Sequence, residues 1–283
     1  MLLGVIGVAI FSVTLPATRI AVLGGLDTVF VGLGRAVVAA AVAAVILAAT
    51  RQPVPPRRLW GRLVLVALCL VLGFPLFMTI AMKMVPAAHG GIVLGVLPLA
   101  TTVAAALICA ERPSPGFWAV AFLGSALVVG FAMIKGGGDL QPADLWLLAA
   151  AACAGTGYAL SGDLSRSMGG WQVICWVLLG SLPFIVPPVL WVLPDVDWRV
   201  PWPGWGGFFY VALFSQLIGF FAWNRGLALG GIARVGQVQL LQLFMTLAAS
   251  ALLLGEDIDR VTLIFAVAVV AVVAVGRRMP VAR

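Results

Sequence analysis

Apolar stretches of membrane-spanning length fill nearly the whole chain, and this feature limits the folds open to it. Breaks at glycines, prolines and charged clusters separate ten apolar runs, at about 1–22, 27–49, 61–82, 87–110, 115–134, 143–162, 171–193, 204–224, 232–254 and 260–276. A helix needs about 20 apolar residues to cross the roughly 30 Å hydrocarbon core of a bilayer. The 283-residue chain is therefore predicted to be an all-α integral membrane protein with ten transmembrane helices.

The distribution of charge predicts the partner of the chain and its orientation. Only 10% of the residues are charged, against about 25% in soluble domains, and the net charge is +7. The basic residues lie in the short breaks between apolar runs, so the expected partner is the lipid bilayer and no nucleic acid. With the N-terminus inside, eleven loop and terminal cations fall on the cytoplasmic side and four on the other. This asymmetry predicts cytoplasmic termini in a cell inner or plasma membrane.

An internal repeat divides the chain into two halves. A shift of 145 residues aligns residues 87–111 with residues 232–256, and eight of the 25 positions are identical. The identities include Gly91 with Gly236, Thr101 with Thr246 and Glu111 with Glu256. We predict a first five-helix repeat over 1–138 and a second over 139–283. Since five is an odd number, the second repeat enters the membrane inverted, which is typical of secondary transporters with a substrate site near the midplane.

Four further segments carry a resemblance to a known family. They are GVAIFSVTLPATRIAV in the first run, Gly34-Arg35 in the second, and the two run ends ICAERPS and LLLGEDID. These segments resemble the drug/metabolite transporter superfamily, specifically its ten-helix EamA-type exporters. The resemblance covers essentially the whole chain. It implies two five-helix repeats, cytoplasmic termini, a central cavity and export of small metabolites such as amino acids.

Arg35 is the candidate for recognising a substrate carboxylate or phosphate. It lies eight residues into the second run, about 12 Å from the outer end at 1.5 Å per residue, which is beyond easy snorkelling reach. A guanidinium at that depth should face a cavity or a partner. The structural alternative is a pair with Asp27, or with carbonyl groups freed by a kink at Pro16.

Polar residues at helical spacing mark three further runs. Gln239, Gln242, Thr246 and Ser250 form one stripe on the ninth run, which predicts either a cavity wall or polar contacts between helices. Similar faces occur on the eighth and sixth runs. The candidate substrate-binding residues are Arg35, Tyr158, Gln216, Trp223, Asn224, Gln239, Gln242 and Thr246.

Glycine and proline mark candidate bending points. Pro16, Gly95 and Pro98 are the predicted hinges, because these residue types are where a moving helix bends. Gly91, Gly95, Pro98 and Thr102 also form a small-residue stripe on the fourth run, which favours close helix packing.

Motifs of soluble enzymes are missing from the sequence. There is no GxxxxGK[ST] loop, GxSxG elbow or HExxH, and His89 is the only histidine. We therefore expect no catalytic residues, no resident metal and no cofactor. The four cysteines lie singly in apolar runs and are interpreted as small buried hydrophobes.

The sequence also bears on energy coupling and substrate class. Acidic residues are missing from the middle of every apolar run, which disfavours carboxylate-driven proton coupling. The predicted function is export of small metabolites, amino acids or related zwitterions first, by alternating access in a monomer or homodimer. The alternatives are a multidrug exporter, which would have a wide apolar cavity, and a membrane-embedded enzyme.

Overall fold

The computed structural model describes residues 1–136, 141–254, 259–276 and 278–282. Within these residues the fold is all-α, with one two-residue strand pair, Arg112–Pro113 (β1) with Val281–Ala282 (β2). The helices are α1 Leu2–Leu23, α2 Phe30–Ala49, α3 Arg57–Met84, α4 His89–Ile108, α5 Pro115–Gly136, α6 Pro142–Met168, α7 Gly170–Asp195, α8 Trp202–Gly230, α9 Ile232–Leu253 and α10 Arg260–Gly276.

The ten predicted runs all correspond to helices. Eight are long and apolar enough to cross a membrane, and the apolar parts of α5 and α10 are shorter. The helices extend past the predicted ends of several runs, so that α6 includes Asp163 and α3 begins at Arg57. Asp163 forms an ion pair of 2.9 Å with Arg62 on α3, which lets both charges lie inside helices. The predicted boundary between the two repeats, at residues 138/139, lies outside the described residues. So does Glu256, the repeat equivalent of Glu111.

The two repeats interleave rather than lying side by side. Helix α1 of the first repeat packs on α8 of the second, and in the same way α6 packs on α3. Equivalent helices also meet, since α2 packs on α7, α4 on α9 and α5 on α10. The centre of the bundle is therefore built from both halves.

A reciprocal contact shows the internal symmetry at residue level. A Cβ atom added to Gly91 on α4 would lie 3.3 Å from Thr246 on α9, and one added to Gly236 on α9 would lie 3.2 Å from Thr101 on α4. The two glycines are equivalent in the repeat, and so are the two threonines. In each repeat a glycine thus packs against the threonine of the other repeat, which allows the two helices to approach closely.

Irregular turns also recur at matching places. A π-helical segment interrupts α3 at Leu68–Gly73 and α8 at Tyr210–Ile218. A 3-10 turn interrupts α4 at Leu94–Val96 and α9 at Gln237–Gln239. Such interruptions leave backbone groups available and mark places where helices bend.

The predicted hinges lie at or near these interruptions. Gly95 is in the 3-10 turn of α4, and Pro98 follows it directly. Pro16 lies three residues after Val13, where α1 divides into two helical segments. In α9, Leu243 takes the place of Pro98, so the turn there forms without a proline.

Candidate substrate site

A small central cavity lies between the repeats. Its volume is about 10 Å³, room for about one water molecule, so the bundle is nearly closed around it. Helices from both repeats line it, with Phe11, Thr14, Leu15, Arg35, Leu70, Phe74, Met78, Leu94, Tyr158, Ser215, Phe220 and Gln242.

Arg35 is the charged group of this cavity. Its side chain is 2% exposed, although it belongs to a helix expected to cross the membrane. The guanidinium donates from Nε and Nη2 to Oε1 of Gln216, at 3.0 and 2.7 Å. The third nitrogen, Nη1, is buried and has no hydrogen-bond partner among the residues that the structure describes. Gln216 therefore fixes the orientation of the guanidinium and leaves Nη1 unused.

Neither Asp27 nor a backbone carbonyl near Pro16 bonds to Arg35 in the part of the chain that the structure describes. Asp27 accepts hydrogen bonds from the backbone N–H groups of Val29 and Phe30, at 2.8 and 2.9 Å, and so caps the start of α2. Gln216 is held in turn by a hydrogen bond from its Nε2 to the carbonyl of Leu70, at 3.4 Å. That carbonyl belongs to the π-helical segment of α3. The irregular turn thus supplies a backbone acceptor for the residue that orients Arg35.

Two hydroxyl groups and several apolar side chains in the cavity wall escaped the sequence analysis. Thr14 on α1 and Ser215 on α8 are 2.8 Å apart, and both are buried. A single threonine or serine in an apolar run carries no periodic signal, because it hydrogen-bonds equally well within its own helix. The proximity of Ser215 to Gln216 is the one sequence feature that could have indicated it.

Four aromatic rings pack beside the cavity. Phe11 contacts Phe220, Trp223 and Tyr158, with ring centroids 5.1, 6.1 and 6.2 Å apart. Phe11, Phe220 and Tyr158 reach the cavity wall, whereas Trp223 lies behind them. A Cβ atom added to Gly7 would meet Cβ of Trp223 at 2.9 Å, so this tryptophan fills the contact between α1 and α8.

The structure thus divides the predicted binding residues into two groups. Arg35, Tyr158 and Gln242 line the cavity, and Gln216 binds Arg35. The others are Trp223, Asn224, Gln239 and Thr246, and they lie outside the cavity wall.

Helix contacts account for the positions of three residues in the second group. Asn224 accepts a hydrogen bond from Ser161 and donates one to the carbonyl of Gly170, at 2.9 and 3.0 Å. Gln239 accepts a hydrogen bond from Thr101 at 3.4 Å, and Thr246 packs against Gly91. The polar stripe on α9 therefore contributes Gln242 to the cavity wall, whereas Gln239 and Thr246 contact α4.

No group of three potential metal ligands occurs among His, Cys, Asp and Glu in the part of the chain that the structure describes. His89 instead bonds to Asp144, with 2.6 Å between Nε2 and Oδ1.

Two interleaved five-helix repeats around a small central cavity define a class of polytopic membrane carriers. Comparison with known proteins makes this specific: residues 1–133 and 141–276 each match the model of the EamA-like transporter family. The chain therefore belongs to the EamA-like transporter family.

Individual relatives agree with this assignment. The chain is 44% identical to the uncharacterized transporter YdeK of Bacillus subtilis (strain 168) over 275 residues, which cover 97% of this chain and 96% of the relative. A crystal structure with 20% sequence identity superposes with a TM-score of 0.77 and covers 98% of this chain and 97% of its own. At that identity the likeness shows the fold alone.

Proposed function

We propose that this transporter exports small zwitterionic metabolites, amino acids or related compounds first, by alternating access. The observation that carries the proposal is the unpaired Nη1 of Arg35 in a cavity between the repeats. A buried donor without a partner costs stability, and more so when it is charged. A substrate carboxylate would satisfy it with a charge-assisted hydrogen bond.

The other residues of the cavity wall suit the ammonium group and the side chain of such a zwitterion. The hydroxyl groups of Thr14 and Ser215 and the amide of Gln242 offer polar partners for an ammonium group. The rings of Phe11 and Phe220 offer apolar area for a side chain. Charge, polar groups and apolar area within one cavity favour an amphipathic zwitterion over a purely ionic substrate.

The experiment that tests the proposal combines a substrate panel with one substitution. Purified protein in proteoliposomes is assayed for counterflow of amino acids, their amides and their decarboxylated amines. Arg35→Gln should weaken the affinity for carboxylate-bearing substrates about ten-fold or more, because a hydrogen bond to a charged group contributes about 1.5 to 3 kcal/mol.

Folded protein is measured alongside affinity. If Arg35 serves only to hold Gln216 and α8 in place, Arg35→Gln lowers the amount of folded protein and affects every substrate equally. Unchanged affinity for carboxylates in a well-folded variant would remove Arg35 from the substrate site.

Multidrug export is the second candidate, favoured by the apolar side chains Leu70, Phe74 and Met78 on one wall. A carrier of this kind would transport bulky apolar cations and would tolerate Arg35→Gln. The same substrate panel, extended with such cations, separates the two functions.

We further propose cytoplasmic termini in a cell membrane, supported by the distribution of cations. Arg51 lies between α2 and α3, and Arg57 and Arg58 begin α3. That end of the bundle, which also holds the ends of α4, α6, α8 and α10, is called the arginine-rich end below.

A further inference from the structure

A buried carboxylate ties the two repeats together at the arginine-rich end. Glu111 follows α4 of the first repeat and is 4% exposed. Its carboxylate accepts hydrogen bonds from the backbone N–H groups of Ile232 and Ala233 on α9, at 3.0 and 2.8 Å. Arg166 of α6 donates a third from Nη2, at 2.8 Å. Two helices of the second repeat therefore meet at one carboxylate of the first.

The start of α9 depends on this carboxylate. The residue before it, Gly231, has φ +85° and no side chain that could cap the helix. The first N–H groups of a helix have no partner within the helix and attract negative charge. Glu111 supplies the capping group from another element, so the cap lasts only while α4 and α9 stay together.

Arg166 extends the connection to α3. Its Nη1 lies 3.4 Å from Asp163, which pairs at 2.9 Å with Arg62. The ends of α4 and α6, the start of α9 and the first turns of α3 are thus linked by hydrogen bonds and ion pairs. Separating any of these helices would break a charged contact.

The position of Glu111 relates it to the route of the substrate. A separate cavity of about 260 Å³ at the arginine-rich end is lined by Glu111, Arg166 and Arg234. Along α4 and α6, Thr101 and Ser161 lie between the residues that line the central cavity and those that line this one. They bond to Gln239 on α9 and Asn224 on α8 in buried contacts. A substrate can pass from one cavity to the other only if these helices move apart.

We propose that Glu111, Arg166 and the first N–H groups of α9 form a latch that keeps the arginine-rich end closed and is released when the carrier opens there. We name it the Glu111 latch. The proposal rests on alternating access, yet it does not depend on which substrate is carried. Glu111 and Arg166 are then gating residues that shift the balance between conformations, and they do not bind substrate in the central cavity.

Contacts at the opposite end provide a matched control. There, His89 on α4 bonds to Asp144 on α6, and Arg19 on α1 donates to the backbone carbonyls of Met82 and Val85 at the end of α3. The His89–Asp144 pair also joins the two repeats. Weakening it should favour opening at that end, whereas weakening the Glu111 latch should favour opening at the arginine-rich end.

The test measures access to the central cavity without any substrate. Ser215→Cys places a thiol in the cavity wall of a chain whose four native cysteines are replaced by alanine. Right-side-out and inside-out membrane vesicles are treated separately with an impermeant thiol reagent. A second single-cysteine variant, Pro55→Cys, shows which vesicles expose the arginine-rich end, because position 55 lies two residues before α3.

Glu111→Gln keeps the shape of the side chain and removes its charge. It should raise the labelling rate of position 215 from the arginine-rich end about ten-fold, as the loss of charge-assisted hydrogen bonds predicts. Arg166→Gln should act in the same direction, with a smaller effect, because the two bonds to α9 remain. Asp144→Asn should not raise labelling from that end.

Unchanged labelling in folded Arg166→Gln and Glu111→Gln protein would overturn the proposal. So would an equal rise from both sides of the membrane, since general loosening has no direction. If Glu111→Gln fails to accumulate, Arg166→Gln alone decides the outcome. A carrier that labels as expected but transports no zwitterion would refute the proposed substrate and leave the latch standing.

Discussion

Replacing Gln216 with glutamate should abolish carboxylate recognition while keeping the fold. The glutamine oxygen already accepts two hydrogen bonds from Arg35, at 3.0 and 2.7 Å. In Gln216→Glu a carboxylate of the same shape can accept both, so the guanidinium keeps its orientation, while the long 3.4 Å hydrogen bond to the carbonyl of Leu70 is lost. The new negative charge then occupies the arginine that the substrate carboxylate would use.

The size of the effect follows from charge repulsion. Two carboxylates that share one guanidinium lie roughly 6 Å apart, and at an effective dielectric constant of about 20 they repel each other by about 3 kcal/mol. That energy corresponds to a loss of about two orders of magnitude in affinity. An amine without a carboxylate should instead bind as well as before or better, because the added charge attracts it.

Proteoliposome counterflow with an amino acid and its decarboxylated amine measures both affinities. Gln239→Glu is the control: it adds a buried carboxylate on α9 beside Thr101, outside the cavity wall. This variant should lose stability without discriminating between the two substrates. If folded Gln216→Glu protein binds the amino acid as tightly as the parent, Arg35 does not receive the carboxylate.

Three further predictions concern packing, topology and coupling. Gly207→Ala should lower the free energy of unfolding by about 1 to 3 kcal/mol, because its Cβ would overlap the carbonyl of Ala17 on α1. The control Gly206→Ala meets no described atom within 4 Å and should be neutral or slightly stabilising. Melting assays in detergent compare the two variants. Pro55→Cys should stay unlabelled by an impermeant thiol reagent in intact cells, and labelling there would reverse the proposed orientation. Counterflow should continue after an uncoupler collapses the proton gradient, and its loss would make the His89–Asp144 pair the first candidate for a proton path.

The periodicity and length of the apolar runs were enough to predict the architecture. Membrane helices satisfy their own backbone groups, so each run of about 20 residues predicts a helix almost independently of its neighbours. The repeat between 87–111 and 232–256 added the division into two halves. The end of α6 was less well predicted, since Asp163 is neutralised by Arg62 only after folding brings α3 and α6 together.

The candidate site was predictable only in part. Arg35 was identifiable because a charge so deep in an apolar run requires a partner, but that partner, Gln216, lies 181 residues away in the chain. The polar faces of α8 and α9 were also visible from helical spacing. Helical spacing shows which residues share a face of a helix, but not what that face packs against. The spacing therefore could not show that Gln242 reaches the cavity while Gln239 contacts Thr101 on α4.

The sequence by itself thus determined the class of protein, the number of helices, the repeat and the depth of Arg35, because these depend on composition and on distances along the chain. Only the tertiary structure decided that Gln216 occupies two of the three guanidinium nitrogens and leaves one free. It also decided that Glu111 caps a helix of the other repeat. Both arrangements join residues more than a hundred positions apart, and their geometry is fixed by how α4, α8 and α9 pack against the rest of the bundle.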